Sequence, residues 1–188
     1  MTGPSQMQAV VADGRGFMVV GSHDGHPAVW STTDGLTWTT IVLGLPAGAS
    51  AADLDLVAIN AGNRVVALGV QQEGGHDRPL AEVSADGGAS WQRVPSGPTG
   101  PGALVTALTA STGGFTAATR SGAAGQRGAA VWTSATGASW TPVPVSGLAS
   151  GGSDDITTLT PSGTSVAGID VVRTQASQQY GSLVLPGP

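Results

Sequence analysis

Ser84-Ala85-Asp86-Gly87-Gly88-Ala89-Ser90-Trp91 decides the fold, because the chain writes it three times. It appears first as Ser31-Thr32-Thr33-Asp34-Gly35-Leu36-Thr37-Trp38 and last as Thr133-Ser134-Ala135-Thr136-Gly137-Ala138-Ser139-Trp140. The three tryptophans stand 53 and then 49 residues apart (38 to 91, 91 to 140). A period near 50 residues marks copies of one supersecondary unit stacked on each other. Asp, Asn and Ser side chains accept backbone N–H groups in tight turns, and Gly supplies a positive φ without steric cost. A Trp straight after such a turn can lay its ring over the loop while its N–H finds a carbonyl. On this reading the phrase fastens a turn.

Working outward, each copy carries two apolar runs around a small polar turn: Ala9–Ala12 and Phe17–Val20, Val57–Ile59 and Val65–Leu68, Ala107–Thr109 and Phe115–Ala118, Thr157–Leu159 and Val166–Ile169. Phe17, Val65, Phe115 and Val166 are equivalent, at separations of 48, 50 and 51. Short β-favouring runs bounded by Gly, Pro, Asn and Ser read as hairpins. A third run follows each hairpin in the first three copies (Ala28–Trp30, Ala81–Val83, Ala129–Trp132), and the Trp phrase turns the chain into a fourth. Four strands per period and no helical stretch predict an all-β fold of β-propeller blades, each of four antiparallel strands. The predicted limits are 8–53, 54–103 and 104–153 for three complete blades and 154–188 for a partial fourth, within one partial propeller domain, 1–188. The fourth copy reaches Tyr180-Gly181-Ser182-Leu183-Val184-Leu185 without a Trp phrase. Three arrangements follow as expectations: the C-terminal part of a larger propeller with further blades upstream, two copies joined into one ring as a homodimer, or a small four-blade ring.

The phrase resembles the Asp-box, or BNR repeat, of sialidase-like propellers. Ser84, Asp86, Gly88, Ser90 and Trp91 match that pattern at every position. The first copy departs, with Thr33 where Asp is expected and Asp34 one residue late. The third keeps Thr133, Gly137, Ser139 and Trp140 but has Ala135 at the Asp position. The resemblance implies structural box residues at Ser31, Asp34, Gly35, Trp38, Ser84, Asp86, Gly88, Trp91, Thr133, Gly137 and Trp140. It implies a scaffold only, since one fold hosts many activities. A sialidase also needs an arginine cluster, an acid and a Tyr/Glu nucleophile pair. This chain has one tyrosine, Tyr180, two glutamates, Glu73 and Glu82, and no Arg-Ile-Pro motif before its first box.

Composition narrows function further. Thirty glycines and twelve prolines in 188 residues disfavour helices. A formal net charge of −5, with seven Arg and no Lys, argues against a nucleic-acid partner. Without Lys there is no phosphate-binding P-loop, and without Cys there is neither disulfide nor thiolate chemistry. No run approaches the ~18 apolar residues that insert into a membrane. The first residues lack the basic and apolar regions of a signal peptide.

Two clusters could carry chemistry. His23-Asp24-Gly25-His26 places two imidazoles and a carboxylate within four residues, and zinc favours those ligands, so His23, Asp24 and His26 are the metal candidates. They also fit a solvated turn between the second and third strands. The pairs Asp53/Asp55 and Asp154/Asp155 read as solvated connections before first strands, forming an acidic rim suited to weak Ca²⁺ binding. No catalytic residue and no cofactor is assigned. The expected function is a non-catalytic module for binding or scaffolding a protein or glycan ligand. The alternative is a piece of a sialidase-like glycoside hydrolase that lacks its catalytic residues. The all-Arg, Ala/Gly-rich composition resembles an actinobacterial chain, and with the family resemblance this implies an extracellular or cell-envelope location.

Overall fold

The computed structural model describes residues 3–95, 97–98, 103–121, 128–145, 153–162, 165–173 and 178–186. Among them there is no helix, and therefore none long and apolar enough to cross a membrane. The strands form four antiparallel meanders. The first holds β1 (Ser5–Ala12), β2 (Phe17–His23), β3 (His26–Thr32) and β4 (Thr39–Val42); the second holds β5 (Ala49–Ile59), β6 (Val65–Glu73), β7 (His76–Ser84) and β8 (Gln92–Arg93). The third holds β9 (Leu104–Ser111), β10 (Gly114–Ser121), β11 (Gly128–Ser134) and β12 (Thr141–Val143). The fourth has three strands, β13 (Ser153–Ser162), β14 (Ser165–Arg173) and β15 (Gln178–Pro186). The expected architecture, three four-stranded sheets and a partial fourth, is the one observed.

The chain divides into two compact units, Met1–Pro95 with the first two sheets and Ser96–Pro188 with the last two. In the first unit, Met18, Val20 and Val29 of sheet one pack on Leu54, Val65, Ala67 and Leu80 of sheet two. In the second, Ala107, Ala118 and Val131 of sheet three pack on Ile156, Leu159 and Val166 of sheet four. Each fully buried Val or Leu contributes about 1.5–3 kcal/mol. The hairpin loops follow from local chemistry. Asp24 and Gly25 (φ 51° and 75°) turn β2 into β3, the positive-φ pair that suits a two-residue hairpin.

Every first strand carries a β-bulge at the same place. The extra residue is Gln8 in β1, Asp55 in β5, Thr106 in β9 and Thr157 in β13. Opposite the first two bulges a side chain would collide with backbone: a Cβ on Gly21 meets the Gln6 carbonyl, and one on Gly69 meets that of Asp53. A bulge re-aims the residues beside it, and here it carries each first strand further back than the apolar pattern indicates. Asp53 and Asp55 lie within β5, and Asp155 within β13, so these acids sit on paired strands rather than in solvated connections. The side chain of Asp154 and the turn around Gly163 lie outside the described residues.

Candidate binding site

The turn phrases take up two of the acids. Asp86 Oδ1 accepts from Ser84 Oγ (2.7 Å) and the Ser90 N–H (2.9 Å), and its Oδ2 accepts from Ser90 Oγ (2.5 Å). Ser84 Oγ in turn accepts the Gly88 N–H at 2.7 Å. These bonds, the Ser90 hydroxyl and N–H foremost, hold the Asp86 carboxyl at about 2. Asp34 is held at about 2 by the Thr37 and Leu36 N–H groups, with help from Thr32.

The first and third phrases correct the sequence alignment by one residue. Thr32, not Ser31, accepts the Gly35 N–H (2.9 Å), and Ser134, not Thr133, accepts the Gly137 N–H (2.7 Å). Thr136 occupies the position of Asp34 and Asp86, its Oγ1 accepting the Ala138 N–H at 3.3 Å. Asp34 therefore stands in register with Asp86, and the first and third turns are one residue shorter than the second between this position and the Trp. Trp91 and Trp140 donate their ring N–H to the carbonyls of Gly88 and Gly137, both at 3.0 Å, whereas Trp38 stays 40% exposed.

The His23-Asp24-Gly25-His26 cluster serves a hairpin. His23 Nδ1 lies 2.8 Å from Ser5 Oγ, His23 pairs with His26 across the strands, and the Asp24 N–H donates to the Pro4 carbonyl at 2.9 Å. Among the described residues no group of three or more His, Asp or Glu is arranged to hold a metal ion.

That hairpin end of sheet one faces the start of β5, and between them lies a cavity of about 280 Å³. Gln6, Ser22, Asp53 and Gln72 supply its polar wall; Ala52 and Val70 supply part of its apolar wall. The Ala52 N–H donates to the Gly25 carbonyl (2.8 Å), pinning the two sheets at this point. Asp53 Oδ2 accepts from Gln8 Nε2 at 3.1 Å, while Oδ1 is buried without a hydrogen-bond partner. Asp55 next to it is pushed up from the usual carboxylate range by burial, then by the charges of Asp53 and Asp77. Asp77 is bonded by the Gln72 amide. An acceptor-rich pocket of this kind suits ligand groups that donate hydrogen bonds: amide, hydroxyl, ammonium. A larger hollow of about 580 Å³ opens at the opposite end of sheet one, among Arg15, Phe17, Thr37 and Asp86. There Arg15 is already engaged, by Asn63 Oδ1 at 2.7 Å and Asp13 at 3.7 Å.

Sequence reasoning picked out Asp53 and Asp55 but missed Gln6, Ser22 and Gln72. Their signal lies in strand pairing: Gln6 is opposite Ser22, and Asp53 and Gln72 are brought near by the β5–β6 ladder.

No protein-family model and no curated protein sequence matches the chain. Solved structures do. YCF48 bound to D1 peptide is similar at 19% identity and a TM-score of 0.60, over 97% of this chain and 54% of that one. The Trypanosoma rangeli sialidase in complex with the inhibitor DANA is similar at 15% identity and 0.61, over 96% and 36%. The endo-arabinase of Bacteroides thetaiotaomicron is similar at 12% identity and 0.58, over 97% and 75%. The chain thus spans about half the length of the first and about a third of the second. At these identities the likeness is one of fold: the sheets are those of a β-propeller.

Proposed function

We propose that this protein is a non-catalytic Asp-box (BNR-type) propeller module that binds a protein segment or glycan at the cavity beside Asp53. The observation that carries the reading is Asp53 itself, a carboxylate with one buried oxygen lacking a partner, set among amides and a hydroxyl between two sheets. Rigid strands with ligand groups at their ends are a common way to build a recognition surface. The other recurring acids, Asp34 and Asp86, are occupied by their own turns, as the Asp-box resemblance implies. Neighbours of the same fold include a protein bound to a peptide and enzymes that act on glycans, so the fold serves both ligand classes. From the same resemblance we propose a location outside the cell or at its envelope; surface proteolysis of intact source cells should then remove the module.

One observation favours a rival reading, a propeller hydrolase with an acid of its own rather than a piece that lacks its catalytic residues: Asp55 is a carboxyl whose burial raises its affinity for a proton, as a general acid needs. A panel of fluorogenic glycosides, run beside glycan and peptide arrays, separates the two. Saturable array binding that weakens at least tenfold in Asp53→Asn, without turnover, is the expected result. Glycoside turnover lost in Asp55→Asn would establish the rival.

A further inference from the structure

The bulge marks the same position in all four sheets. Two residues before it stand Gln6, Asp53, Leu104 and Asp155, and paired with them stand Ser22, Val70, Arg120 and Val171. Each unit has one seam between its two sheets. In each seam the acid belongs to the second sheet, Asp53 to sheet two and Asp155 to sheet four. The first sheet of each unit brings the partner position, Ser22 in one and Arg120 in the other. In both acids Oδ1 is buried without a hydrogen-bond partner.

The seams differ in what the other oxygen meets. Asp155 Oδ2 lies 3.3 Å from Arg120 Nη1, in an ion pair whose carboxylate side chain is 13% exposed. Asp53 Oδ2 accepts from the neutral Gln8 amide, and among the described residues Asp53 enters no ion pair. Where Arg120 reaches Asp155 with a long side chain, Ser22 ends at a short hydroxyl, and the cavity of about 280 Å³ lies beside it. The chain thus carries one arrangement twice, once with a guanidinium built in and once with that place open.

Charge and size agree with this. Unit one holds nine Asp and Glu against four Arg, and unit two three against three, so the formal net charge of −5 falls on unit one. Pockets for whole small molecules run to about 300–1,000 Å³; one of about 280 Å³ suits a single long side chain. A guanidinium brings five N–H donors and no acceptor, which matches a carboxylate set among Gln6, Ser22 and Gln72. It is also more weakly hydrated than an ammonium, and so better suited to a partly buried carboxylate.

We propose that the cavity beside Asp53 takes an arginine side chain of a partner protein segment, in the place that Arg120 holds in the other seam. This rests on the binding function proposed above and narrows its ligand from a protein segment or glycan to a peptide that bears a guanidinium.

The test presents the full chain to an array of short peptides, each with one arginine in a different setting, beside the glycan array. Every peptide is also printed with citrulline in place of arginine, which keeps the shape and removes the charge. Two variants accompany the wild type: Asp53→Asn, and Ser22→Arg, which copies the arrangement of sheet three so that the chain fills its own site. The wild type should bind arginine peptides and bind their citrulline forms at least tenfold more weakly, and both variants should lose at least tenfold. A cooperative melt verifies folding; should Ser22→Arg not fold, the citrulline and Asp53→Asn comparisons decide. Ligands without arginine that bind the wild type and are lost in Asp53→Asn overturn the arginine assignment while leaving the cavity as the binding site. Citrulline forms that bind equally well, or a folded Ser22→Arg with wild-type affinity, overturn it too. No binding on either array, or binding that Asp53→Asn leaves unchanged, defeats the proposed function and the arginine assignment together.

Discussion

Asp34 and Asp86 lie at the surface, yet their carboxyls are held at about 2, well below the 3.8 of a free aspartate. Backbone N–H and hydroxyl groups aimed at the charged form favour it. A carboxyl with a depressed folded value contributes stability above its unfolded value and loses it as pH falls through the folded one. A thermal melt should therefore show stability falling as pH drops from about 4 toward 2, and Asp34→Asn with Asp86→Asn should flatten that fall. Asp55 has the opposite sign. Its folded value is raised, by burial and by its acidic neighbours, so its contribution is present at low pH and lost as pH rises. Asp55→Asn should raise the melting temperature at pH 7 and change it little near pH 3; a fall at pH 7 would contradict the assignment. At this scale the sequence was legible in kind but not in register. Ser31 and Thr133 stand one residue before the working hydroxyls of Thr32 and Ser134, because two turns are one residue shorter and an alignment made from their first Ser or Thr cannot show it.

The three Trp-ended turns, alike in sequence, differ in what they bury. Trp91 packs against the first core and bonds the Gly88 carbonyl, whereas Trp38 leaves 40% of its surface in water. Trp91→Ala should cost about 3 kcal/mol, at the lower end for a ring removed from a core. Trp38→Ala should cost about 1 kcal/mol, in proportion to the smaller apolar area it loses. Urea unfolding of the two variants checks the ranking, and equal midpoints would contradict it. The strand pattern was legible because apolar pairs and Gly-bearing turns recur with the period. The bulges were not. Gln8, Asp55, Thr106 and Thr157 share only a polar side chain, common at many other positions, and only the paired strand reveals that each is the extra residue. For that reason Asp53 and Asp55 read as loop residues when they belong to β5.

At the scale of the molecule, the repeat announces four sheets, but Phe17, 51% exposed, looks no different in sequence from the buried Val65 or Phe115. Which apolar face is covered depends on what stands beside the sheet, and that information is not local. The same holds for the cavity, whose wall joins residues of β1, β2, β5 and β6 from two separate repeats. On the proposed function the acids divide in two: those in the turn phrases hold the fold, and Asp53 serves a ligand. The most direct measurement is the affinity of a ligand found on the arrays for Asp86→Asn and Asp53→Asn, at a temperature where both are folded. Asp86→Asn should keep wild-type affinity, despite a lower melting temperature, and Asp53→Asn should lose at least tenfold. Equal losses in the two, or wild-type affinity in Asp53→Asn, would contradict that division.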